Sequence, residues 1–372
     1  MRVLIAPDKF KGTLSATAAA RAMGRGWQQI RPNDRIRFLP ISDGGDGFGD
    51  VLRTVLGART VTCRTMDAAG NSRSARWWWV ASKRLAIVEA AQSNGLALLD
   101  LARRRPFELD TTGVARLIQA ALHKGARHCI VGVGGSATND GGFGLAKGLG
   151  WSFWDRSGKP ILRWSDLERL DRIETPSQPF QRCRFTVATD VENPLLGPKG
   201  ATKVYGPQKG LSDRELPAAE ACLRRLAEVV HKTLNIDAKV PGSGAAGGLG
   251  FGMRAFLGAE RRLGFDVFAE FARLATHLRW ADLVITGEGS FDRQSVMGKG
   301  VGQWIQLCSK SDTPVIVLAG RIAPGSPSHS RAITWARGLC DITSMERAIE
   351  QPARWLKQLA KVAATDWTRI RP

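Results

Sequence analysis

The stretch that most constrains the fold runs from Cys129 to Gly150 and reads CIVGVGGSATNDGGFGLAKGLG. Its apolar beginning, Ile130 to Val133, predicts a short buried strand. A glycine-rich turn follows, and Phe143 to Leu149 then resumes at helical spacing. A strand, a glycine-rich turn and a helix in this order present backbone N–H groups to an anion. The stretch therefore predicts a polyphosphate-binding loop in an α/β protein.

Five residues of this turn are candidate phosphate ligands, the glycines through close backbone approach and the others through side-chain donors: Gly134, Gly135, Ser136, Thr138 and Asn139. Asp140 differs from them because a carboxylate beside a phosphate repels it. Two roles for Asp140 stay open at this point. Either a magnesium ion lies between Asp140 and the phosphate, or the carboxylate caps the helix that follows.

The rest of the chain alternates predicted strands and helices, with one interruption. Strand, helix and strand patterns over Arg2–Ala6, Ala16–Gln29 and Arg37–Ile41 are typical of a parallel α/β sheet. Three short predicted strands between Arg59 and Ala91 form a meander, which indicates a second, inserted domain. A chain of 372 residues is long enough for two domains.

Composition narrows the location and the class of protein. The chain is 43% hydrophobic and 24% charged, as is ordinary for a globular protein. No apolar run approaches the roughly 20 residues that span a bilayer, and the apolar segment after Arg2 is too short for a signal peptide. The six cysteines lack a CxxC or zinc-type spacing, which indicates reduced thiols. We expect a cytoplasmic protein with no membrane partner.

The net charge of +20 allows two interpretations. One is nucleic-acid binding. The other is an arginine-rich surface that attracts small anionic substrates. The basic residues are spread along the chain, and no nucleic-acid-binding module is recognisable, so we favour the second interpretation and expect no nucleic-acid partner.

Acidic residues follow several of the predicted strands. Asp8, Asp43, Asp190 and Glu288 each lie one or a few residues beyond a strand, and Asp140 lies further along the central loop. In open parallel sheets, ligands bind beyond the carboxyl ends of the strands. We therefore expect these acids to share one crevice with Lys9 and the glycine-rich loops. Magnesium ligands, a cation, backbone donors and one base are what phosphoryl transfer requires.

Two glycine patterns in the chain also match a different template. Gly132-x-Gly134-x-x-Ala137 and Gly242-x-Gly244-x-x-Gly247 both match the dinucleotide-binding pattern, which makes an NAD-dependent oxidoreductase of a small hydroxy acid an alternative. A basic nucleic-acid-binding protein on a fold whose phosphoryl-transfer site is inactive is a further alternative. The chain contains neither the P-loop pattern nor the GxSxG hydrolase pattern.

Eight motifs, in order, resemble those of the bacterial type I glycerate kinases over roughly the first 320 residues. They are APDKFKGTLSA, SDGGDG, GGSATNDGG, ATDVENPLLG, YGPQKG, GSGAAGGLG, AFLGAE and ITGEG. The resemblance implies ATP-dependent phosphorylation of D-glycerate, with Mg²⁺, to 2-phosphoglycerate or 3-phosphoglycerate. It also implies a Rossmann- or flavodoxin-like α/β domain plus a second, inserted smaller α/β domain, with the site in the cleft between them.

From this resemblance we assign approximate domain boundaries and site roles. The first domain takes residues 1–58, 125–190 and 280–372, and the inserted domain takes 59–124 and 191–279. Asp190 is the expected base and Lys9 the expected charge-neutralising group. A homodimer is considered as the assembly.

The remaining assignments fall into three groups. The expected ATP phosphate ligands are Gly134, Gly135, Ser136, Thr138, Asn139 and Lys299. The expected substrate ligands are Asp8, Asn193, Gln208, Lys209, Gly244, Gly247 and Gly248. The expected metal ligands are Asp43, Asp140 and Glu288. For Gly244 to Gly248, close helix packing remains the alternative to substrate binding.

The chain also departs from the family pattern. Ser290 stands where the family usually has arginine after the TGEG motif, so the phosphate contact of that arginine is either absent here or moved to another residue, for which Arg293 is the candidate. Val301 and Gln303 stand where proline and glycine are usual. These changes bear on substrate choice and rate more than on fold.

Overall fold

The structure is a computed structural model that describes residues 1–42, 44–176, 182–292, 295, 300–326 and 332–370. Its internal contacts divide the chain into two units. The first unit comprises Met1–Asp43, Asp50–Val55 and Phe265–Pro372. The second unit comprises Gly44–Gly49 and Leu56–Gly264, so it is inserted in the first.

The described residues contain fifteen strands. They are β1 (Arg2–Ile5), β2 (Arg35–Phe38), β3 (Arg59–Met66), β4 (Ser72–Val80), β5 (Leu85–Glu89), β6 (His128–Gly132), β7 (Ser152–Asp155), β8 (Leu170–Glu174), β9 (Arg184–Ala188), β10 (Glu260–Arg262), β11 (Leu283–Thr286), β12 (Ser290–Phe291), β13 (Val315–Ala319), β14 (Arg321–Ile322) and β15 (Ile333–Gly338).

Thirteen α-helices lie in the described part of the chain. They are α1 (Ala16–Ile30), α2 (Phe48–Leu56), α3 (Ala91–Asn94), α4 (Thr112–His123), α5 (Phe143–Gly148), α6 (Ala201–Lys209), α7 (Leu216–Leu234), α8 (Ala245–Leu257), α9 (Gly264–Phe271), α10 (Leu274–Trp280), α11 (Gly300–Lys310), α12 (Met345–Glu350) and α13 (Pro352–Ile370). Six short 3₁₀ segments join some of these elements. None of the described helices combines the length and the apolarity that crossing a membrane requires.

The first unit is built on a five-stranded sheet in the order β2-β1-β11-β13-β15, and all of its pairings are parallel. Along the chain this order is 2-1-3-4-5, the flavodoxin arrangement, which confirms the predicted fold class. Ser15 caps the N-terminus of helix α1, because its side chain accepts a hydrogen bond from the Ala18 N–H at 3.2 Å. Its apolar stripe, with Met23 and Trp27, packs in the core beside residues of α13.

The second unit is built on a six-stranded sheet in the order β10-β9-β6-β5-β4-β3. Strands β3, β4 and β5 form an antiparallel meander, as their short alternating patterns predict. From β5 to β10 the pairings are parallel. The core includes Trp77 and Trp79 from the meander, so these residues pack against other side chains and are not exposed for base stacking.

The observed division differs from the predicted one in residues 125–190. These residues belong to the second unit, because β6 pairs with β5 of the meander and β9 pairs with β6. As a result, the inserted unit is the larger of the two, not the smaller. Residues 265–279 also belong to the first unit, and residues 44–49 and 56–58 belong to the second. Strand partners are chosen by contacts distant in sequence, which a local pattern does not contain.

The register of the second sheet aligns the carboxyl ends of four strands. Glu89 pairs with Gly132, Gly132 with Ala188, and Ala188 with Arg262. Adjacent strands lie about 4.8 Å apart. The residues that follow these four positions therefore emerge side by side along one edge of the sheet.

Candidate active site

The glycine-rich loop leaves β6 at this edge. Gly134 is half-buried and its N–H donates to Gly44 O at 3.3 Å. Gly135 is exposed and has a φ of +75°, a conformation that favours glycine. Among the described residues, no acceptor is found for the backbone N–H groups of Gly135 and Ser136. These two amides are therefore available to an anion.

The polar side chains of the loop point inward. Thr138 and Asn139 are fully buried. Thr138 Oγ1 accepts from Asn94 Nδ2 at 3.2 Å, and Asn139 Nδ2 donates to Thr202 Oγ1 at 3.1 Å. The expectation that these two side chains donate to phosphate is not supported by their contacts, which fix the shape of the loop instead.

Asp140 lies at 0% exposure beneath the loop, and protein donors surround its carboxylate. Oδ2 accepts from Thr111 Oγ1 at 2.7 Å, from Thr111 N at 2.9 Å and from Gly144 N at 2.9 Å. Oδ1 accepts from Gly142 N at 3.1 Å. Burial, with a smaller contribution from Asp110, raises the pKa of Asp140 above its usual value. Of the two open roles, these contacts favour capping over a magnesium ligand.

This arrangement also bears on the dinucleotide alternative. In that template the pyrophosphate lies at the N-terminus of the helix that follows the glycines. Here the first amides of α5 are held by Asp140 and by Thr111 Oγ1, which accepts from Leu145 N at 2.8 Å. The anion at this helix terminus is therefore the chain's own carboxylate.

Lys209 lies under the same loop at 2% exposure. Its Nζ donates to Thr138 O at 2.6 Å and to Ser136 Oγ at 3.0 Å. Burial lowers the pKa of Lys209 to about 7, and the nearby Asp140 opposes that shift. The burial of this ammonium argues against the expected direct contact with substrate.

The second glycine-rich segment packs against the first. The backbone of Gly247 is left-handed, with a φ of +68°. A Cβ at Gly247 would lie 1.9 Å from Thr138 O. Gly247 O also accepts from Gly141 N at 3.0 Å. A Cβ at Gly248 would lie 2.7 Å from Gly141 Cα, and one at Gly244 would lie 2.3 Å from Pro194 O. These buried glycines favour the alternative of close packing over substrate contact.

Asp190 lies two residues beyond the end of β9, and Gly134 lies two residues beyond the end of β6. Because Ala188 and Gly132 are register partners, both residues emerge at the same edge of the second sheet. Asp190 is half-buried, and its Oδ1 accepts from Gly264 N at 2.9 Å. That contact orients the carboxylate, as a general base requires.

Two acids that the sequence analysis did not single out belong to this edge. Glu89, at the end of β5, is 5% exposed and accepts from Gly47 N and Gly49 N, each at 3.1 Å. Glu89 therefore fixes the segment 44–49, which begins within the SDGGDG motif. The exposed Asp46 of that segment lies against the loop, since a Cβ at Gly135 would be 2.1 Å from Asp46 Oδ1. In the sequence, Asp46 could have been found as the second aspartate of the SDGGDG motif.

Two further expected substrate ligands lie beyond β9. The Asn193 side chain accepts from Tyr205 Oη at 2.7 Å and donates to Lys199 O at 2.8 Å, so both of its polar atoms hold the surrounding loop. Gln208 is exposed on α6. The structure leaves Gln208 accessible and gives Asn193 a structural set of contacts.

Asp8, Lys9 and Glu288 lie in the first unit. Asp8 N donates to Gly287 O at 2.8 Å, which ties the end of β1 to the end of β11. Asp8 Oδ1 accepts from Lys9 N at 2.7 Å. All three residues are half-buried, and they flank the point between β1 and β11 where the strand order of this sheet reverses. Ligand sites in doubly wound sheets occur at this switch point.

Ser290, which stands where the family usually has arginine, lies beside an arginine from another strand. Ser290 Oγ accepts from Arg321 Nε at 3.1 Å, because β12 and β14 pair at these two residues. A guanidinium therefore lies beside Ser290 and comes from Arg321. The candidate substitute Arg293, and the expected ligands Asp43 and Lys299, lie outside the described residues.

Within the described ranges, no group of three or more histidine, cysteine, aspartate or glutamate side chains is arranged to hold a metal ion. The contacts of Asp140 remove it from the set of favoured ligands. What the described residues can supply is single carboxylates, such as Asp46 beside the loop and Glu288 in the first unit.

The chain has two largely parallel sheets, and polar residues follow the carboxyl ends of their strands. It is therefore an α/β protein of the class that binds ligands at the carboxyl ends of its strands. The chain belongs to the Glycerate kinase family, which matches residues 3–368. This family membership confirms the resemblance that the eight motifs carry.

Individual relatives agree with this assignment. The glycerate kinase of Halalkalibacterium halodurans is 34% identical, and the match covers 99% of both chains. The glycerate 2-kinase of Escherichia coli is 36% identical over 87% of this chain and 86% of that protein. The crystal structure of a putative glycerate kinase 2 from Salmonella typhimurium LT2 aligns with a TM-score of 0.83 and 32% identity, covering 99% of this chain and 98% of that chain.

Proposed function

We propose that this protein is an ATP-dependent glycerate kinase, with Asp190 as its base and the loop from Gly134 to Ser136 as its phosphate-binding element. The observation that carries the activity is the near full-length match to the Glycerate kinase family and to named glycerate kinases. The activity is a phosphotransfer to an alcohol group, and ATP is the co-substrate. D-Glycerate is the proposed enantiomer.

Asp190 is proposed to accept the proton of the glycerate hydroxyl as the oxygen attacks the γ-phosphorus. The new O–P bond forms while the bond between the γ-phosphorus and the β,γ-bridging oxygen breaks, and ADP leaves with that oxygen. The proton then passes from the Asp190 carboxyl to solvent. Gly264 N, which donates to Oδ1 at 2.9 Å, holds the carboxylate in one orientation for this transfer.

The phosphates are proposed to lie on the backbone amides of Gly135 and Ser136. The support is that both amides lack an acceptor among the described residues and that Gly135 is exposed. Backbone N–H groups stabilise the charge on phosphate oxygens without the loss of side-chain entropy. Lys9 and Lys299 remain the proposed cations for that charge.

Mg²⁺ is also part of the proposal. When bound with ATP, Mg²⁺ neutralises charge on the phosphates. It keeps several waters and commonly contacts one or two protein carboxylates, so a cluster of three is not required. Asp46 fits this role because its carboxylate lies against Gly135. Asp43 and Glu288 remain proposed as further candidates.

A coupled assay of ADP release tests the activity and the base together. Wild type and Asp190→Asn are compared with D-glycerate, with L-glycerate and without acceptor, each with and without Mg²⁺. We expect magnesium-dependent turnover on D-glycerate and a fall in kcat of roughly 10²-fold or more in the variant. Turnover that survives the substitution would remove Asp190 as the base and keep the kinase, whereas no turnover with glycerate would remove the kinase.

The product and the assembly are further points of the proposal. ³¹P-coupled NMR of the product distinguishes 2-phosphoglycerate from 3-phosphoglycerate directly. We propose that the net charge of +20 attracts anionic substrates and serves no nucleic-acid partner. Salt-sensitive DNA binding would contradict that statement. The homodimer is tested by light scattering, and the proposed cytoplasmic location by cell fractionation.

A further inference from the structure

Lys209 is a buried lysine to which the proposed chemistry gives no role. Lys209 is the last residue of α6, and its ammonium makes two hydrogen bonds to the glycine-rich loop, to Ser136 Oγ and Thr138 O. Lysine is almost never this deeply buried unless it has a partner. A buried ammonium is costly, so the position calls for a compensating interaction.

The surroundings of Lys209 show what the ammonium supports. Thr202, seven residues earlier on α6, accepts from Asn139 Nδ2 at 3.1 Å. Two turns of one helix therefore hold both ends of the segment from Ser136 to Asn139. This segment leads directly from the two amides that have no acceptor among the described residues.

The charges near Lys209 are few. Asp140 is the charged group that acts on it, and its carboxylate is already held by four hydrogen bonds from Thr111, Gly142 and Gly144. The ammonium itself donates to a hydroxyl and a carbonyl, both neutral. Its positive charge is therefore directed at the loop.

We propose that Lys209 is a positioning residue of the kinase, which holds the loop in its phosphate-binding shape and places a positive charge behind the amides of Gly135 and Ser136. This inference rests on the proposed function of the loop. It replaces a direct contact between Lys209 and substrate, which 2% exposure disfavours. The ligand that the loop would bind is the phosphate chain of an adenine nucleotide.

The proposal predicts a selective loss. A group that acts only through the phosphates affects ATP and ADP and leaves adenosine unchanged. A group that merely fills space in the core affects all three ligands alike, or affects only stability. The comparison of ADP with adenosine therefore separates positioning of the loop from a general structural role.

The test uses Lys209→Met, which keeps the length of the side chain and removes its charge and donors. Lys203→Met is the matched control, because Lys203 is exposed on the same helix. At pH 6, below the pKa of about 7 of Lys209, calorimetry gives the Kd of ADP and of adenosine for each protein, and steady-state kinetics gives kcat and KM for ATP. We expect Lys209→Met to raise the Kd of ADP and the KM for ATP about tenfold, because the variant removes the positive charge behind the loop and the two hydrogen bonds that hold the loop in shape. The Kd of adenosine should stay unchanged.

Three results would overturn the proposal. An ADP affinity equal to that of wild type excludes a role for Lys209 and leaves the kinase intact. An equal loss for ADP and adenosine assigns Lys209 to structure alone. Wild type that neither binds ADP nor phosphorylates glycerate removes the proposed function, and this inference with it. If Lys209→Met does not fold by circular dichroism, Lys209→Gln, which keeps a donor without charge, carries the same comparison with the same expectations.

Discussion

The two glycine-rich segments of the second unit match the same sequence pattern and serve different physical needs. In the first, Gly135 is exposed, and its amide has no acceptor among the described residues. In the second, Gly247 is buried and accepts from the backbone of the first segment. One set of glycines opens the backbone to a ligand, and the other lets two backbones touch. The pattern alone does not distinguish these reasons for glycine.

The largest effect should come from filling the contact between the segments. Gly247→Ala puts a Cβ 1.9 Å from Thr138 O in a left-handed turn, so the backbone must move. We expect a loss of about 3 kcal/mol in the free energy of unfolding, measured in urea. Gly258→Ala is the control, because its φ of +61° is similar and nothing lies within 4 Å of the added Cβ. It should lose about 1 kcal/mol. Equal losses would show that the contact does not matter.

The next effect falls on activity. Gly135→Ala places a Cβ 2.1 Å from Asp46 Oδ1 and on the exposed side of the loop. We expect kcat/KM for ATP to fall roughly 10²-fold, because the amides are displaced from the phosphates. Gly197→Ala, with a φ of +93° and open space around the Cβ, controls for backbone strain and should keep its activity. An active Gly135→Ala enzyme would contradict the assignment of this loop.

The buried ammonium beneath the first loop should appear as a dependence of stability on pH. The pKa of Lys209 is lowered to about 7 in the folded protein from 10.5, so between these values the unfolded state binds more protons. Stability from this group therefore rises with pH above 7 and is lost as pH falls towards 7, with a slope of at most about 1.4 kcal/mol per pH unit. Urea unfolding of wild type and Lys209→Met between pH 7 and pH 10 measures the difference. A difference independent of pH would contradict the lowered pKa.

The smallest effect concerns Ala246, which has a φ of 55° and a ψ of 39° between the glycines of the second segment. Ala246→Gly relieves that strain and should stabilise the protein by about 0.5–1 kcal/mol. Ala245→Gly, one residue earlier at a buried position, should instead destabilise it. Thermal unfolding of the two variants checks the sign, and a destabilised Ala246→Gly would show that its methyl contacts outweigh the strain.

The sequence predicted local elements well where hydrophobic patterns are strong. Strand β1 and helix α1 lie within one residue of their predicted bounds, and the strand, loop and helix around Gly134 are confirmed. Strand β10 was missed because its three residues are charged. The β7–β8 pair was missed because fourteen residues, including a 3₁₀ segment, separate its two strands.

The site was predictable in its location and less so in its contacts. The positions of Asp190 and Gly134 follow from strand ends, which a local pattern contains. The burial of Thr138, Asn139 and Lys209 depends on α6 packing beneath the loop, and that contact joins residues more than sixty positions apart. Asp140 shows the same limit, since its partner Thr111, just before α4, lies twenty-nine positions away in the sequence.

Amide hydrogen exchange with and without ADP separates the two segments, since the first should carry the nucleotide phosphates and the second should support it. ADP should slow exchange in a peptide spanning residues 133–139, and residues 243–250 should exchange slowly in both states. Protection by ADP in residues 243–250, with none in 133–139, would show that the roles of the two segments are exchanged.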